Sequence, residues 1–185
     1  MSDEVVELTG SEMERTLTAF RHELSRVRTG RASTALLDGL FVNYYGTKTP
    51  LRQLAGLAAP EARLLVITPY DRGAMGEIEK AIQASDLGLN PMNDGKVIRI
   101  PIPELNEERR KELVRHVRKV AEEFRVGVRN HRRDANEMLK QLNKDKQLND
   151  DDLRVAETKV QALTAEHVDK IDKALAAKEA EIMEV

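Results

Sequence analysis

The longest regular pattern in the chain lies between residues 114 and 142, which read VRHVRKVAEEFRVGVRNHRRDANEMLKQL. Positions that suit a helix seam alternate there at spacings of three and four residues, namely Val114, Val117, Ala121, Phe124, Val128, His131, Ala135, Met138 and Leu142. This a/d heptad pattern predicts one long amphipathic helix. Asn106 can cap its start and Lys146 suits its C-terminal end, so we predict a helix over about 107–146.

A helix of this length needs other long helices to pack against, because at 1.5 Å per residue it would extend roughly 60 Å. The N-terminal segment offers a seam with the same spacing at Met13, Leu17, Phe20, Leu24 and Val27. Thr29-Gly30 reads as its C-terminal stop. Two start positions are possible for this helix. Ser11 could form a capping box with Glu14, or the helix could begin near Asp3, because Val6 continues the heptad pattern towards the N-terminus.

A third helix is predicted to begin after Asn149, whose side chain can cap a first turn of three aspartates. Its apolar positions shift phase after Leu163, the full set being Leu153, Ala156, Val160, Leu163, Val168, Ile171, Leu175 and Ile182. Only a few residues around Gln147-Leu148 connect it to the preceding helix, so the two must be antiparallel neighbours. Together the three helices predict a bundle.

The segment between the first and second helices has a different character and holds all six prolines. Alternating or apolar runs predict strands at 40–44, 64–68 and 97–102, and a short helix is predicted over 72–84. Tyr45-Gly46 and Asn93-Asp94-Gly95 read as turns. We therefore predict an α+β fold of two domains: a long antiparallel three-helix bundle made of residues 1–30 and 104–185, and an inserted β/α/β sandwich made of residues 31–103.

Composition and motifs argue against several classes of protein. The chain has no Cys, hence no disulfide or thiolate chemistry, and no run of 18 or more apolar residues. Phosphate-binding glycine loops, nucleophile elbows and HExxH motifs do not occur in the sequence. The four histidines are isolated, and His131 reads as a packed seam residue rather than a metal ligand. We expect a cytoplasmic protein that is not an enzyme and that uses no cofactor, metal or small-molecule substrate.

Charge is distributed unevenly along the chain. The net charge is −2, yet residues 107–146 carry eight Arg and five Lys against eight acidic residues. Lys111, Arg118, Arg125 and Arg132 recur every seven residues, with Arg110, Arg115, Arg129 and Arg133 beside them. Such a row suits the phosphate oxygens of RNA. A solvated face with intrahelical ion pairs, such as Glu122 with Arg125, fits the same pattern, so charge alone leaves both interpretations open.

Four stretches, in order along the chain, resemble the ribosome recycling factor family: 27–33 (VRTGRAS), 44–55 (YYGTKTPLRQLA), 84–91 (ASDLGLNP) and 128–136 (VRNHRRDAN). His131 departs from the family pattern, in which an aliphatic residue is more usual. The resemblance implies an L-shaped monomer that binds the post-termination ribosome at large-subunit ribosomal RNA near the A and P sites. It also implies that elongation factor G, with GTP, then acts with it to separate the subunits, and that no membrane is involved.

The resemblance also assigns roles to residues. The implied RNA contacts are Arg132 and Arg129, supported by Arg28, Arg31, Arg110 and Arg133. The heptad spacing of the arginine row adds Arg125 to the predicted RNA contacts. Gly30, Arg31 and Pro103 are the implied hinge between the two domains. Heptads alone would equally allow a coiled-coil scaffold or chaperone that binds protein. An enzyme is the third and weakest reading, because no nucleophile, base and metal set converges.

Overall fold

The computed structural model describes residues 1–27 and 29–184. These form α-helices α1 (Ser2–Ser25), α2 (Leu51–Leu54), α3 (Met75–Ala84), α4 (Glu107–Lys144) and α5 (Asp150–Met183). The strands are β1 (Phe41–Tyr44), β2 (Thr47–Pro50), β3 (Ala55–Glu61), β4 (Leu64–Pro69), β5 (Met92–Asn93) and β6 (Ile98–Pro101). Two compact units result, one of Met1–Leu24 with Lys111–Val185 and the other of Ser25–Arg110.

The first unit is a three-helix bundle, as predicted. Helices α1 and α4 are antiparallel, since the ring centroids of Phe20 and Phe124 lie 5.3 Å apart while Thr16 Oγ1 lies 3.0 Å from His131 Nε2. Helix α5 runs parallel to α1. Lys159 reaches Asp3 near one end of that pair, and further along each helix Leu163 lies 3.5 Å from the position that a Cβ on Gly10 would occupy.

Helix α4 follows the predicted bounds closely, but its buried face differs in part from the predicted seam. The buried residues are Leu113, Val117, Ala121, Val128, Ala135 and Leu139. Met138 was assigned to the seam wrongly, because half of its surface is exposed. The physical reason is that a helix has 3.6 residues per turn, so its buried face drifts away from a strict seven-residue repeat over five heptads.

The predicted phase shift in α5 is also wrong. Thr164 and His167 are both buried, whereas Leu163 and Val168 are only partly buried. With these two polar residues included, the buried positions Ala156, Val160, Thr164, His167, Ile171, Leu175 and Ile182 keep one phase along the helix. The cap prediction is confirmed, since Asn149 Oδ1 accepts a hydrogen bond from the Asp152 amide at 2.7 Å.

Helix α1 begins at Ser2, so the earlier of the two predicted starts is correct. It ends at Ser25, before the predicted stop at Thr29-Gly30. Leu24 is the last fully buried seam residue and Val27 is only partly buried, so little packing supports a further turn. Gly30 instead has a φ of +77°, which a side chain would rarely adopt.

The second unit is a small two-sheet α/β domain. Strands β1 and β2 form a hairpin, and the other sheet has the antiparallel order β3-β4-β6-β5. Helix α3 lies against β1 and buries Met75, Ile78 and Ile82, as predicted. The predicted strands at 40–44, 64–68 and 97–102 correspond to β1, β4 and β6, and the turn at 93–95 joins β5 to β6. Strands β2, β3 and β5 were not predicted.

Candidate nucleic-acid interface

The heptad-spaced arginines of α4 lie beside α5, and two of them form ion pairs with it. Arg118 donates from Nε and Nη2 to Glu179 at 2.6 and 3.0 Å. Arg125 donates from Nε to Asp172 at 2.8 Å. The hydrogen bonds between Arg118 and Glu179 raise the pKa of the guanidinium and lower the pKa of the carboxyl group. These two arginines therefore join α4 to α5.

Glu122 links two arginines of the same helix. Its carboxylate accepts from Arg125 Nη1 at 3.0 Å and from Arg129 Nη1 at 3.1 Å. These two hydrogen bonds lower the pKa of Glu122. Burial by itself lowers the pKa of Arg125, but hydrogen bonds to Asp172 and Glu122 outweigh it and leave that pKa raised. The intrahelical ion pairs that the sequence allowed are thus present at this position, together with interhelical pairs that it did not suggest.

The arginines further along α4 have fewer acidic partners. Arg132 is half-buried and donates to a neutral group, Gln161 Oε1, at 3.3 Å. Arg133 and Arg115 are exposed, and neither forms an ion pair with any residue that the structure describes. We call Arg129, Arg132 and Arg133 the basic row. Because Arg132 has no carboxylate partner among the described residues and Arg129 shares one with Arg125, the basic row retains positive charge that a polyanion could neutralise.

Arg31 and Arg110, two of the other predicted contacts, belong to the Ser25–Arg110 unit. Arg31 is exposed in the Ser25–Arg110 unit. Arg110 is half-buried, and its Nε has no hydrogen-bond partner among the described residues. Arg28 lies outside the described residues. At the predicted hinge, a Cβ on Gly30 would lie 3.5 Å from Leu105 Cγ, while Pro103 is exposed.

Sequence reasoning missed the acidic partners of Arg118 and Arg125 on α5 and one buried polar contact. Asp172 and Glu179 lie seven residues apart on α5, which is the spacing of their arginine partners on α4, so a search for complementary heptads could have found them. His167 is buried, with Nδ1 2.7 Å from the Leu163 carbonyl oxygen and Nε2 3.1 Å from Glu14 Oε2. No spacing signal in the sequence marked that contact.

Within residues 1–27 and 29–184, no helix combines the length and the apolar character that a membrane span requires. The same residues contain no group of three or more His, Asp or Glu side chains that could hold a metal ion. The bundle with its basic row and the inserted α/β unit define a class, namely two-domain proteins that offer one helical face suited to a polyanion.

Within that class the family is shown by comparison with known proteins. The family model described as "Ribosome recycling factor" matches residues 20–183, and the chain belongs to this family. The ribosome-recycling factors of Bacillus pumilus and Bacillus subtilis are each 56% identical to it over 185 residues, covering 100% of both chains. That of Nitratidesulfovibrio vulgaris is 57% identical over 173 residues, covering 94% of this chain and 93% of its own.

Solved structures agree with this assignment. A solution structure of the ribosome recycling factor superposes with a TM-score of 0.81 at 41% identity, covering 100% of this chain and 98% of the other. A second match, at TM-score 0.69 and 47% identity, covers 100% of both chains. It comes from a structure that describes models for the T. thermophilus ribosome recycling factor and the E. coli elongation factor G bound to the E. coli post-termination complex.

Proposed function

We propose that the protein binds the post-termination ribosome and, together with elongation factor G and GTP, promotes its dissociation into subunits for a new round of initiation. The observation that carries this proposal is the family match, which extends over residues 20–183. A relative that is 47% identical over the whole chain is described with elongation factor G on a post-termination complex, which supports the same partners here. The site of action would be the cytoplasm, where these ribosomes work.

In this scheme the chain acts by binding as a monomer and catalyses no reaction, while the partner GTPase supplies the free energy of GTP hydrolysis. The bundle would contact large-subunit ribosomal RNA near the A and P sites. We assign the main RNA contacts to the basic row, since its guanidinium groups can donate paired hydrogen bonds to phosphate oxygens. Arg28, Arg31 and Arg110 are proposed as supporting contacts.

Arg125 is the predicted contact that the geometry favours least. Its guanidinium is already bonded to Asp172 and Glu122, and only 19% of its side chain is exposed. A phosphate would have to displace a carboxylate partner from it, which offsets much of the gain in binding. We therefore assign Arg125 to holding α5 against α4.

We also propose that the two domains comprise residues 1–30 with 104–185, and residues 31–103, and that Gly30, Arg31 and Pro103 form the hinge between them. Support comes from two observations. The compact units divide within about seven residues of these positions, and Gly30, near the first boundary, has a φ of +77°. A glycine there allows backbone rotations that another residue would resist.

The deciding experiment measures splitting of post-termination ribosomes by the purified protein with elongation factor G and GTP. Omitting the protein or the GTP should abolish splitting. Arg132→Ala should weaken ribosome binding about tenfold, which corresponds to the loss of one phosphate contact of roughly 1.4 kcal/mol, and should make binding less sensitive to salt. Lys173→Ala, which removes the same charge from an exposed position on α5, is the matched control and should bind like the wild type.

Two results would refute these assignments separately. If the wild-type protein fails to split ribosomes under these conditions, the proposed function is wrong. If it splits them but Arg132→Ala binds as tightly as Lys173→Ala, the function stands and the assignment of the basic row is wrong. Helix content and melting should be the same in all three proteins, because among the described residues Arg132 donates only one long hydrogen bond, to Gln161.

A further inference from the structure

An aromatic side chain occupies an unfavourable backbone position at the tip of the β1–β2 hairpin. Tyr44 pairs with Thr47, so Tyr45 and Gly46 form a two-residue loop. Both have positive φ, +47° and +81°, the signature of a type I′ turn. The first position of such a turn favours Asn, Asp or Gly, yet it holds a tyrosine that is 81% exposed. The tyrosine contributes no core burial that would offset its unfavourable conformation.

Hydrogen bonds and ring packing fix the orientation of this side chain. The hydroxyl groups of Tyr44 and Tyr45 both donate to Asp71 Oδ2, at 2.9 and 3.4 Å. The two rings meet edge to face, with centroids 4.5 Å apart. Asp71 is itself held, because its Oδ1 accepts from the Gly73 amide at 2.8 Å. Tyr45 is thus an exposed ring anchored on the partly buried Tyr44, and an aromatic side chain held in this way presents a rigid surface to a partner at low entropic cost.

A glycine completes the arrangement. A Cβ on Gly73 would lie 3.2 Å from Asp71 Oδ1 and 3.5 Å from the Tyr45 hydroxyl, so a side chain there would crowd the group that orients the tyrosines. The hydrogen bonds from the Gly73 amide and from Tyr44 lower the pKa of Asp71. Asp71 therefore stays negatively charged at neutral pH beside the two rings.

The space beside these rings is a groove of about 290 Å³ lined by Asn43, Tyr44, Tyr45, Gly46, Gly73, Ala74 and Glu77. Its lining carries aromatic rings and one carboxylate, that of Glu77. Among the described residues, the only cation paired with Glu77 is Lys80, at 3.3 Å on the same helix. Aromatic rings attract cations, and the two nearby carboxylates, Asp71 and Glu77, repel phosphate. The chemistry of the groove is therefore opposite to that of the basic row on α4.

We propose that this groove is a docking site for a lysine or arginine side chain of a basic protein segment, with Tyr45 as the aromatic contact and Glu77 as its ion-pair partner. Arginine and tyrosine are enriched at the centres of protein interfaces, where the guanidinium group stacks on a ring and bonds to a carboxylate. The site lies in the α/β unit and is independent of the RNA-binding role proposed for the bundle. A nucleic-acid base stacked on Tyr45 is the alternative that the test must separate.

The test uses the full-length protein and N-acetyl-arginine amide as the probe, with N-acetyl-glutamate amide and a short oligouridylate as comparison ligands. Amide chemical shifts of Tyr45, Gly46 and Gly73 are followed by NMR during each titration. We expect the arginine probe alone to shift these amides, with a dissociation constant in the millimolar range. Tyr45→Asn and Glu77→Gln should each weaken that binding at least threefold.

Tyr70→Asn is the matched control, because Tyr70 is a 75% exposed tyrosine of the same unit that does not line the groove. It should leave the affinity for the arginine probe unchanged. Tyr45→Asn should unfold at the same or a higher temperature than the wild type, since asparagine suits the turn better. The proposal is overturned if the arginine probe shifts none of these amides, if Tyr45→Asn binds it normally, or if oligouridylate shifts them instead.

Discussion

The ion pair between Arg125 and Asp172 gives a quantitative test of how α5 is held against α4. Arg125 donates from Nε to Asp172 Oδ1 at 2.8 Å, and its Nη2 lies 2.6 Å from the same oxygen. The arginine side chain is 19% exposed and the aspartate 51%. Fully exposed pairs couple by about 0.2–1 kcal/mol, and the partial burial of one partner places this pair near the upper end. We therefore expect a coupling free energy of about 1 kcal/mol.

A double-mutant cycle measures this quantity. Arg125→Ala, Asp172→Ala and the double variant are unfolded in urea, which leaves ion pairs unscreened, and are followed by circular dichroism at 222 nm. Arg125→Ala should cost about 2 kcal/mol in total, because the packed aliphatic stem of the side chain is lost as well. Arg133→Ala should cost less than about 0.5 kcal/mol, since its side chain is exposed and unpaired among the described residues. In 1 M KCl the coupling should fall.

A coupling below about 0.3 kcal/mol would refute the reasoning, and so would an Arg133→Ala variant as unstable as Arg125→Ala. The first result would mean that the ion pair does not hold the helices together, and the second that the loss of stability in Arg125→Ala is not specific to this pair. Arg125 would then be free to exchange its carboxylate partners for phosphate, and its assignment as an RNA contact would have to be restored.

Two further predictions concern stability. The pKa of Asp94 is lowered from 3.8 to about 2 by hydrogen bonds from the amides of Val97 and Lys96 and from the Arg99 side chain. Its ionised form therefore stabilises the folded state above about pH 4, and that contribution is lost as the pH falls towards 2. In urea unfolding, Asp94→Asn should therefore be less stable than the wild type at pH 5, and the difference should disappear near pH 2. A difference in stability that does not depend on pH would contradict this prediction. His167→Ala should lower the free energy of unfolding by about 2 kcal/mol, because it leaves a cavity in the bundle seam. His116→Ala, at an exposed position of α4, should change it by less than about 0.5 kcal/mol. Equal effects of the two substitutions would contradict a structural role for His167.

The sequence predicts the helices well, because their apolar periodicity is long and their caps are local. Asn149 caps α5 as expected, and α4 ends within two residues of the predicted Lys146. Errors arise where a heptad is extended too rigidly. A strict seven-residue repeat places Met138 in the seam, whereas the buried face of the helix drifts and includes Leu139 instead. A pattern of apolar residues does not reveal polar seam residues such as His167. Their burial is tolerated only when tertiary partners form hydrogen bonds with them.

The strands that escaped prediction have weak local signals. Strand β3 reads AGLAAPE, a composition poor in β-branched and aromatic residues. It forms because β4 pairs with it from Ala55 to Glu61, and Pro60 is tolerated since β3 lies at the edge of its sheet. Strand β3 is thus determined by its pairing with β4, and the periodicity of a single sequence does not report strand pairing.

Prediction of the candidate site from the sequence is limited in the same way, because it also depends on tertiary contacts. Charge counting found the arginines of α4, but it could not separate Arg125, which two carboxylates neutralise, from Arg132, which bonds only to Gln161 among the described residues. That distinction depends on which residues of α5 face α4. The family resemblance was confirmed by the comparisons, whereas the residue assignments within the RNA-binding surface remain predictions.

The order of segments in the bundle has a consequence for how the protein is made. The α/β unit is one continuous stretch, Ser25–Arg110, while the bundle combines Met1–Leu24 with a segment that follows that stretch. At a synthesis rate of 5–20 residues per second, on the order of ten seconds pass between the synthesis of α1 and the completion of α4 and α5. Its apolar face, with Met13, Leu17 and Phe20, is left without its native cover throughout that interval. The α/β unit can therefore fold while the chain is still growing, and the helix that is synthesised first reaches its native packing among the last.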